Sequence, residues 1–350
     1  MKFLYIRSSY GGIYHYFDEG IIRAFTAAGW TPVTLSANST PEQIAVAISE
    51  EAPAFLFTLI GNGRSDKIIP ALSSLPLPKA GWFCEDPYYI HDTVKIIDHF
   101  HAIFTVEKNA VHFYQQAGHQ HVTYLPLGFD EKIYCPQKPE GSLYQADVCL
   151  VGYPYEERVE LMKYLLKETS WNIQVIGGKW SYALHSIKNS RLQLINYWIP
   201  PEKVAYYYST SKVVINTHRS LNETMNNNKA IRWRRRNGST NRVSFSENRN
   251  NREADIHASS PNNRLFEIAG CKAAQVVDHT RNISRLFPSA GSIPVFHTEE
   301  ECLQKIAVLL DDVKARKQLV AATYKDSLKL HTFTSRVRKL ISVINKELLS

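Results

Sequence analysis

The chain has 350 residues, of which 44% are hydrophobic and 21% are charged, and its formal net charge at pH 7 is +8. It is too long for one ordinary hydrophobic core, so we expect about two domains of 100–200 residues each. No stretch approaches the roughly 20 consecutive apolar residues of a membrane-spanning helix, so we expect no membrane span.

Two further features indicate a soluble, cytoplasmic protein. The first residues, MKFLYIRSSYGG, do not form a signal peptide, because the apolar run is short and Arg7 and polar residues follow it. The five cysteines are scattered and contain no C-x-x-C pair, which favours reduced thiols over disulfides or a metal centre. The basic balance suits an anionic ligand such as a nucleotide or a phosphate.

The first part of the chain alternates predicted strands with predicted helices. Gly29 and Gly118 are placed to end two of the helices, and Pro41 lies in the first turn of another. This alternation is typical of a parallel, doubly wound sheet. The predicted strands are 2–7, 31–37, 53–60, 79–87, 101–106 and 121–128, and the predicted helices are 16–30, 41–52 and 107–118.

A polar, proline-containing stretch, 129–145, is interpreted as a linker, after which the alternation restarts. The chain is therefore predicted to form two α/β units joined near residue 140. The second unit has predicted strands at 146–152, 172–178 and 212–218, predicted helices at 155–169, 200–211, 299–312 and 332–349, and a helix followed by a strand within 261–278.

The segment 221–260 interrupts this pattern. It contains eight Lys and Arg residues against four Asp and Glu residues, with few apolar positions and no periodicity. Such a segment cannot bury enough surface to order itself, which favours a surface loop without regular structure. The alternative is a basic clamp that orders on an anionic partner. Within 229–252, Trp233 lies among arginines and could stack on a nucleic-acid base.

No strong catalytic motif is present in the sequence. It contains no P-loop, no H-E-x-x-H, no G-x-S-x-G and no complete G-x-G-x-x-G. The His-x-His pairs at 99–101 and 119–121 lack a third ligand, so we predict no metal site. In open α/β sheets, ligands bind beyond the carboxyl ends of the strands, so the candidates are sought in strand-end loops.

Several strand-end residues suit an anionic ligand. Gly11 and Gly12 follow the first strand and precede a helix, where a ligand can approach the backbone. Gly152 and Arg158 repeat this arrangement in the second unit, and an Arg at such a helix start can bind phosphate. His218, in INTHRS, either contacts the ligand or caps its strand. Each residue also fits a simple turn or a solvated surface.

The segment PNNRLFEIAGCKAAQVVD, 261–278, places polar residues at the start of a helix. Asn262 or Asn263 can cap this helix, and Arg264 can lie beside a phosphate held by the first-turn amides. Glu267 lies one turn further and can accept hydrogen bonds from both hydroxyls of a ribose. The alternative for Glu267 is a carboxylate that merely favours the positive end of the helix dipole.

Six segments of the second unit follow one another in a characteristic order: ADVCLVGYPYEERVELMKYL, IQVIGGKW, PPEKVAYYYSTSKVVINTHRS, NNRLFEIAGCKAAQVVD, LFPSAGSIPVFHTEEECLQKIAVLLDD and HTFTSRVRKL. With IFTVEKNAVHFYQQAGHQHVTYLPLGFDEKIY in the first unit, they resemble the CgeB-type, spore maturation protein-like glycosyltransferases. The resemblance covers most of residues 80–340 and is strongest over 146–340.

The resemblance implies a GT-B fold, an α/β architecture of two Rossmann-like, doubly wound domains that face a cleft. It implies an N-terminal acceptor-side domain over 1–135 and a C-terminal nucleotide-sugar donor domain over 146–330, which would contain the insert 221–260. A final helix, within 331–350, would pack back toward the N-terminal domain.

The resemblance also implies transfer of a sugar, without a metal, from a nucleoside-diphosphate sugar such as a UDP-sugar to an acceptor that the sequence does not identify. Glu267 would bind the donor ribose, and Arg158, Asn263 and Arg264 would lie near the diphosphate. Helix N-termini and basic side chains would neutralise the leaving diphosphate. The other expected donor-site residues are Gly11, Gly12, Gly152 and His218.

The sequence departs from the family pattern at two places. The loop between NTHRS and PNNR is longer than expected, and Lys272 stands where the family usually has Gly, beside the expected donor pocket. Either change could alter the donor. For the group that assists the acceptor hydroxyl, the candidates are Asp86, the adjacent Glu85 and His15, with Asp86 preferred.

Three alternative functions remain open at this stage. A GT-B-like sugar-nucleotide epimerase would need several carboxylates around one sugar. A nucleic-acid- or polyanion-binding protein would act through the basic loop 229–252, with strongly salt-dependent affinity. A non-catalytic relative would keep only the fold.

Overall fold

The computed structural model describes residues 1–8, 12–61, 72–73, 75–138, 144–219, 256, 258–278, 283–291 and 293–349. Gly11 and the basic loop 229–252, with most of the insert 221–260, lie outside the described residues. Within the described ranges, the strands form two parallel sheets of six strands each, which confirms the predicted α/β class. No helix in these ranges combines the length and apolar character needed to cross a membrane.

The first sheet is built from the N-terminal half of the chain. Its strands are β1 Lys2–Ile6, β2 Thr31–Leu35, β3 Leu56–Ile60, β4 Lys79–Phe83, β5 Ala102–Thr105 and β6 Val122–Tyr124. Its helices are α1 Ile13–Ala27, α2 Pro41–Glu51, α3 Ile90–Thr93 and α4 Lys108–Gln116, and a 3-10 helix follows α3 at Val94–His99. The spatial order is β2-β1-β3-β4-β5-β6, and β3, β4 and β5 are buried along their whole length. Such continuous burial explains why their sequences are mainly apolar and do not alternate with polar residues.

The second sheet is built from the C-terminal half. Its strands are β7 Ala146–Val151, β8 Ile173–Ile176, β9 Leu192–Ile195, β10 Ser211–Asn216, β11 Gln275–Asp278 and β12 Val295–Phe296. The helices of this half are α5 Glu156–Glu168, α6 Trp180–Ala183, α7 Pro201–Ser209, α8 Arg264–Gly270, α9 Ile283–Leu286, α10 Glu299–Asp311 and α11 Val313–Leu330, and the last helix is α12 Phe333–Glu347. The spatial order is β12-β11-β10-β7-β8-β9.

In each sheet, the first strand in the chain has later strands on both of its sides, so the order in which strands are added reverses there. β1 lies between β2 and β3, and β7 lies between β10 and β8. Open α/β sheets bind ligands in the crevice outside the carboxyl ends of the strands at such a switch point. The ends of β7 and β10, at Val151 and Asn216, therefore mark where a ligand site is expected in the second half.

Helix α12 returns from the second half and packs against the first sheet. Phe333, Val337, Leu340 and Ile344 are at most 2% exposed and belong to the same hydrophobic cluster as Phe3 of β1. The spacing of these four residues gives one apolar stripe, and Thr332 caps the helix by accepting a hydrogen bond from the Ser335 amide at 3.1 Å. The first half therefore depends on a helix from the far end of the chain.

The segment that leads into α8 also contacts the first half. Ile256 packs against the first-sheet cluster. The Glu107 carboxylate, at the end of β5, accepts hydrogen bonds from Ser259 Oγ at 2.5 Å and from the Ser260 amide at 3.0 Å. The Lys108 amide donates to Ser260 Oγ at 2.9 Å. These contacts bind the approach to α8 to the first sheet.

Some elements differ from the sequence predictions. Helix α1 begins and ends three residues earlier than predicted, and β9, β12 and α11 were not predicted at all. In α11 the buried residues are polar, so its sequence lacks a clear apolar stripe. β9 is only partly buried and β12 has two residues, so neither gives an apolar run of strand length.

Candidate active site

A cavity of about 480 Å³ lies between the two halves of the molecule. Its walls come from the strand-end loops of both sheets and from the start of α8. The lining includes residues 84–88 after β4, 152, 153 and 155 after β7, 177–178 after β8, 197–199 after β9, 217–219 after β10, and 258 and 260–264 with Glu267. The cavity therefore occupies the position expected for a ligand cleft between two Rossmann-like units.

Glu267 lies in the first turn of α8 on the wall of this cavity and is 3% exposed. The Asn263 side-chain amide donates a hydrogen bond to its Oε1 atom. Burial raises the pKa of Glu267 to about 7, although Arg264 and the hydrogen bonds from Asn263 and Tyr134 act in the opposite direction. The cavity therefore contains a buried carboxyl group that ionises near neutral pH.

The start of α8 is fixed by Asn262 and not by Asn263. Asn262 Oδ1 accepts a hydrogen bond from the Leu265 amide at 3.3 Å, while its Nδ2 group donates to Asn216 Oδ1 at 3.0 Å. Asn263 has helical backbone angles and makes no side-chain cap. Of the two residues predicted to cap this helix, Asn262 does so, and it also ties α8 to the end of β10.

His218 connects three elements at the edge of the cavity. Its Nδ1 lies 2.5 Å from Asp278 Oδ1 at the end of β11, and its own amide donates to Asp278 Oδ2 at 2.6 Å. Its Nε2 accepts from the Asn262 amide at 3.0 Å, so Nδ1 carries the proton. Both ring nitrogens are therefore used within the protein, which favours the strand-capping alternative for His218 over donor contact.

Arg158 is also used within the protein. It is 4% exposed, and its guanidinium donates from Nε to Thr217 Oγ1 at 2.6 Å, from Nη1 to the Tyr153 carbonyl at 3.0 Å and from Nη2 to the Thr217 carbonyl at 2.7 Å. It thus joins the loops after β7 and β10. Gly152 lies directly against it, since a Cβ there would be 2.7 Å from Arg158 Nη1. Phosphate binding by Arg158 stays a prediction. The three hydrogen bonds within the protein count against it, because they already use all three guanidinium nitrogens.

Arg264 is the cation that this end of the cavity offers to a ligand. It is half-buried in the cavity wall, and its Nη2 lies 3.7 Å from the position that a Cβ on Gly152 would take. Among the described residues it has no hydrogen-bond acceptor and no carboxylate at ion-pair distance. Its charge acts on Glu267, one turn further along α8. The sequence prediction that Arg264 lies beside an anion therefore agrees with its surroundings.

Asp86 belongs to the cavity lining, but its carboxylate is hydrogen-bonded to side chains within the first half. It is 4% exposed, and its carboxylate accepts hydrogen bonds from Thr105 Oγ1 at 2.7 Å, from the Tyr114 hydroxyl at 2.9 Å and from Thr93 Oγ1 at 3.2 Å. Burial raises its pKa to about 7, against the lowering effect of these hydroxyls. Both oxygens have internal partners, so the geometry disfavours Asp86 as the group that assists the acceptor.

Four other positions singled out in the sequence lie outside the cavity lining or outside the described residues. His15 is exposed, packs beside Tyr16 and is not part of the cavity lining. Gly12 precedes α1 with φ 65° but does not line the cavity, and Gly11 lies outside the described residues. Lys272 has φ 55°, a backbone conformation that favours Gly, and its Nζ lies 5.7 Å from the Tyr324 ring and not in the cavity.

The sequence prediction missed Arg219, which also lines the cavity. Its guanidinium donates to Glu85 of the first half and lies 3.9 Å from the ring centre of Tyr88. The Tyr14 hydroxyl also donates to Glu85. Arg219 follows His218 directly, so the rule that strand-end loops carry ligand residues would have found it.

The cavity thus combines a buried carboxyl group, Glu267, with two arginines from different positions, Arg264 and Arg219. A carboxylate accepts hydrogen bonds from hydroxyls, and guanidinium groups bind phosphate, so the set suits a ligand with a polyol part and an anionic part. Among the described residues, no group of three or more His, Cys, Asp and Glu side chains is arranged to hold a metal ion.

Comparisons with known proteins agree with this description. A family model described as Glycosyl transferase-like matches residues 158–342. The spore protein CgeB of Bacillus subtilis strain 168 is 29% identical over 348 residues, which is 98% of each chain.

Solved structures of similar fold cover nearly the whole chain. The sucrose-phosphate synthase of Thermosynechococcus elongatus superposes with a TM-score of 0.66 and 9% identity, covering 99% of this chain and 98% of its own. Anabaena HepE in complex with UDP and glucose also has a TM-score of 0.66 at 9% identity, with 99% and 100% coverage. An alpha-glucosyltransferase in complex with UDP and a 13-mer DNA has a TM-score of 0.66 at 10% identity, with 99% and 98% coverage. These likenesses confirm the predicted GT-B fold.

Proposed function

Because this chain belongs to the glycosyl transferase-like family and has the GT-B fold, it is a glycosyltransferase, and we propose that its donor is a nucleoside-diphosphate sugar, specifically a UDP-sugar. The observation that carries the proposal is the position of Glu267, a buried carboxyl group on the wall of the cleft between the two halves. Two of the structural relatives are described as complexes with UDP, which supports the choice of base.

In this proposal, Glu267 binds the donor ribose. An ionised carboxylate accepts hydrogen bonds from two neighbouring hydroxyls, whereas its protonated form accepts fewer and donates one. The Asn263 amide and the Tyr134 hydroxyl hold the carboxyl group in place and favour its ionised form. The pKa of Glu267, about 7 in the empty cleft, should fall when hydroxyl donors bind it.

The donor diphosphate lies beside Arg264 in this proposal. Arg264 borders the cavity next to Gly152, where the Arg158 guanidinium takes the space that a side chain would fill. As the sugar moves, the bond from its anomeric carbon to the acceptor oxygen forms, and the bond to the diphosphate oxygen breaks. The departing diphosphate gains negative charge, which a nearby guanidinium stabilises without a metal ion.

Two other parts of the prediction are retained as proposals. The reaction is placed in the cytoplasm, a reducing compartment, because all five cysteines are free thiols. The acceptor is placed on the side of the first half, whose loops after β4 and β5 form the opposite wall of the cleft. An epimerase would need several carboxylates around one sugar, but Asp86, Glu85 and Glu107 are each engaged by protein donors.

The proposal is tested by calorimetric titration with UDP, GDP and TDP and their sugars. We expect UDP to bind, and we expect Glu267→Gln to lower its affinity about ten- to a hundredfold, because a charged acceptor is lost. The wild-type affinity should rise as the pH increases through about 7, since the carboxylate must be ionised. EDTA should leave the affinity unchanged.

The matched control is Glu300→Gln, an exposed carboxylate on α10, which should bind UDP like the wild type. Circular dichroism of each variant establishes that it is folded. Folded wild-type protein that binds no nucleotide would contradict the proposed function. Equal affinities for wild type and Glu267→Gln would contradict the role given to Glu267 alone.

A further inference from the structure

Arg219 extends from the second half of the molecule across the cleft to the first. It follows β10 by three residues, and its Nη2 atom donates to Glu85 Oε2 in the loop after β4. Its guanidinium carbon lies 3.9 Å from the ring centre of Tyr88 and 6.0 Å from that of Tyr89. The two halves therefore share one ion pair and one cation–π stack inside the cavity.

The backbone of Arg219 is fixed on both sides of the cleft. The Tyr88 hydroxyl donates a hydrogen bond to the Arg219 carbonyl at 3.0 Å. The preceding residue, His218, is bonded to Asp278 of β11 and to the Asn262 amide at the start of α8. The side chain therefore starts from a rigid base, so little freedom is lost when its guanidinium binds a ligand.

The charge of Arg219 is permanent and only partly screened. The exposed fractions of the Arg219 and Glu85 side chains are 23% and 21%. Burial would lower the pKa of the guanidinium, but Glu85 and the hydroxyls of Tyr155 and Tyr88 raise it overall. A guanidinium carries five N–H donors; Nη2 contacts Glu85, and a further hydrogen bond links the Arg219 side chain to the Tyr155 side chain, which leaves donors for a ligand. The Arg219 guanidinium is thus suited to bind an anionic ligand while it stays paired with the Glu85 carboxylate.

Arg158, in contrast, uses all three of its side-chain nitrogens to join protein loops. The sequence prediction gave the diphosphate two arginines, Arg158 and Arg264. Of this pair, the described structure leaves Arg264 to a ligand, and a diphosphate carries more charge than one guanidinium balances. Arg219 also lines this cavity and can supply the second positive charge.

We propose that Arg219 is a second diphosphate ligand, and that Glu85 is a positioning residue that holds the Arg219 guanidinium over the cleft from the other half. This inference rests on the proposed function, because it assumes a nucleoside-diphosphate donor. It adds that the donor site is completed by the acceptor-side half, through Glu85 and Tyr88. Donor affinity therefore depends on a residue pair that spans the cleft.

The test compares uridine, UMP and UDP by calorimetry. The gain in affinity from UMP to UDP isolates the contribution of the second phosphate. We expect Arg219→Ala to reduce this gain about tenfold or more, while uridine binding changes little, because a charged bond to the outer phosphate is lost. Arg219→Lys should lie between wild type and Arg219→Ala, since it keeps the charge but loses the planar fork.

Glu85 is tested by a double-mutant cycle. We expect Glu85→Gln to reduce the gain about threefold, and Glu85→Gln/Arg219→Ala to be no worse than Arg219→Ala, because Glu85 acts through Arg219. Arg285→Ala removes the same charge from an exposed position on α9 and should leave the gain unchanged. Circular dichroism establishes that every variant is folded.

The outcomes separate this inference from the proposed function. If wild-type protein binds UDP and Glu267→Gln weakens it, but Arg219→Ala leaves the UMP-to-UDP gain intact, only the present inference is overturned. An equal loss for uridine, UMP and UDP would also overturn it, since that pattern indicates a purely structural Arg219. Tighter UDP binding by Glu85→Gln would show that Glu85 competes with the diphosphate and does not position Arg219. Absence of all nucleotide binding by the wild type overturns both proposals.

Discussion

Gly152 stands where the loop after β7 meets two arginines. Its φ of 154° and the 2.7 Å separation between a built Cβ and Arg158 Nη1 leave no room for a side chain. Arg158 cannot move away without breaking its bonds to Thr217 and Tyr153. Packing within the protein therefore requires glycine at position 152, independently of any ligand that approaches it.

We expect Gly152→Ala to lower the free energy of unfolding by about 1–3 kcal/mol, because the new methyl group strains the backbone and displaces Arg158. Gly178→Ala is the matched control: Gly178 lines the same cavity, has no positive φ and has no atom within 4 Å of a built Cβ. Urea denaturation of both variants measures the difference. Equal midpoints for the two would contradict the packing argument.

Helix α12 illustrates how one element serves a domain that is distant in sequence. Its buried stripe supplies Val337 and Leu340 to a cluster that also contains Phe3, Phe25 and Phe57 of the first half. The helix would otherwise expose this stripe to water, and the first sheet would lack cover on that face. The packing of α12 against α1 is therefore part of the fold of the first half.

Leu340→Ala should lower the free energy of unfolding by about 2–5 kcal/mol, because it removes a fully buried side chain and leaves a cavity. Hydrogen exchange should accelerate in β1 more than in β7, since the lost contacts belong to the first sheet. Leu328→Ala, at a position that is 41% exposed on α11, provides the control. The same acceleration in both sheets would argue against a specific role of α12 in the first half.

At the scale of elements, the sequence predicts more of the fold than of the site. Apolar runs that alternate with amphipathic segments identify the two parallel sheets. A strand that is buried on both faces of its sheet has a mainly apolar sequence, which is easy to recognise. Helix α11 is missed because its buried residues include Arg316, Thr323 and Asp326, whose burial depends on partners elsewhere. Nothing local in the sequence distinguishes these residues from solvated ones.

The site is predicted where its chemistry is local and missed where it depends on distant contacts. Glu267 and Arg264 can be proposed together from the sequence because they lie on one helix start. The surroundings of Asp86 cannot be anticipated, because the three hydroxyls that engage it come from Thr93, Thr105 and Tyr114, which only the fold brings together. The pairing of Glu85 with Arg219 joins residues 134 positions apart and requires the arrangement of the two halves.

For the molecule as a whole, two buried carboxyl groups link stability to pH. Burial raises the pKa of Asp86 and of Glu267 to about 7, from ordinary values of 3.8 and 4.5. Between about pH 4 and 7 the folded protein therefore binds protons that the unfolded chain has already released. These two carboxyl groups therefore make the free energy of unfolding decrease as the pH rises through this window, while His331, whose pKa burial lowers to about 4, acts in the opposite direction.

We expect each group to contribute a slope of up to about 1.4 kcal/mol per pH unit in this window. Asp86→Asn should remove one of the two contributions and leave the slope from Glu267, which His331 opposes, so the stability of this variant should depend less on pH than that of the wild type. Chemical denaturation at pH 5, 6, 7 and 8 measures both slopes. A wild-type stability that increases steadily from pH 5 to 7, with the same course in Asp86→Asn, would contradict the assignment.

The return of α12 to the first sheet also has a consequence for synthesis on the ribosome. Phe3 and Tyr5 leave the exit tunnel early, whereas Phe333 and Val337, which cover the same cluster, are added more than 300 residues later. At about 5–20 residues per second, the nascent first sheet waits about 15 seconds to one minute for this helix. During that interval the apolar face of the first sheet is exposed and can bind chaperones. The N-terminal half of the enzyme therefore completes its folding only after the C-terminal half has been synthesised.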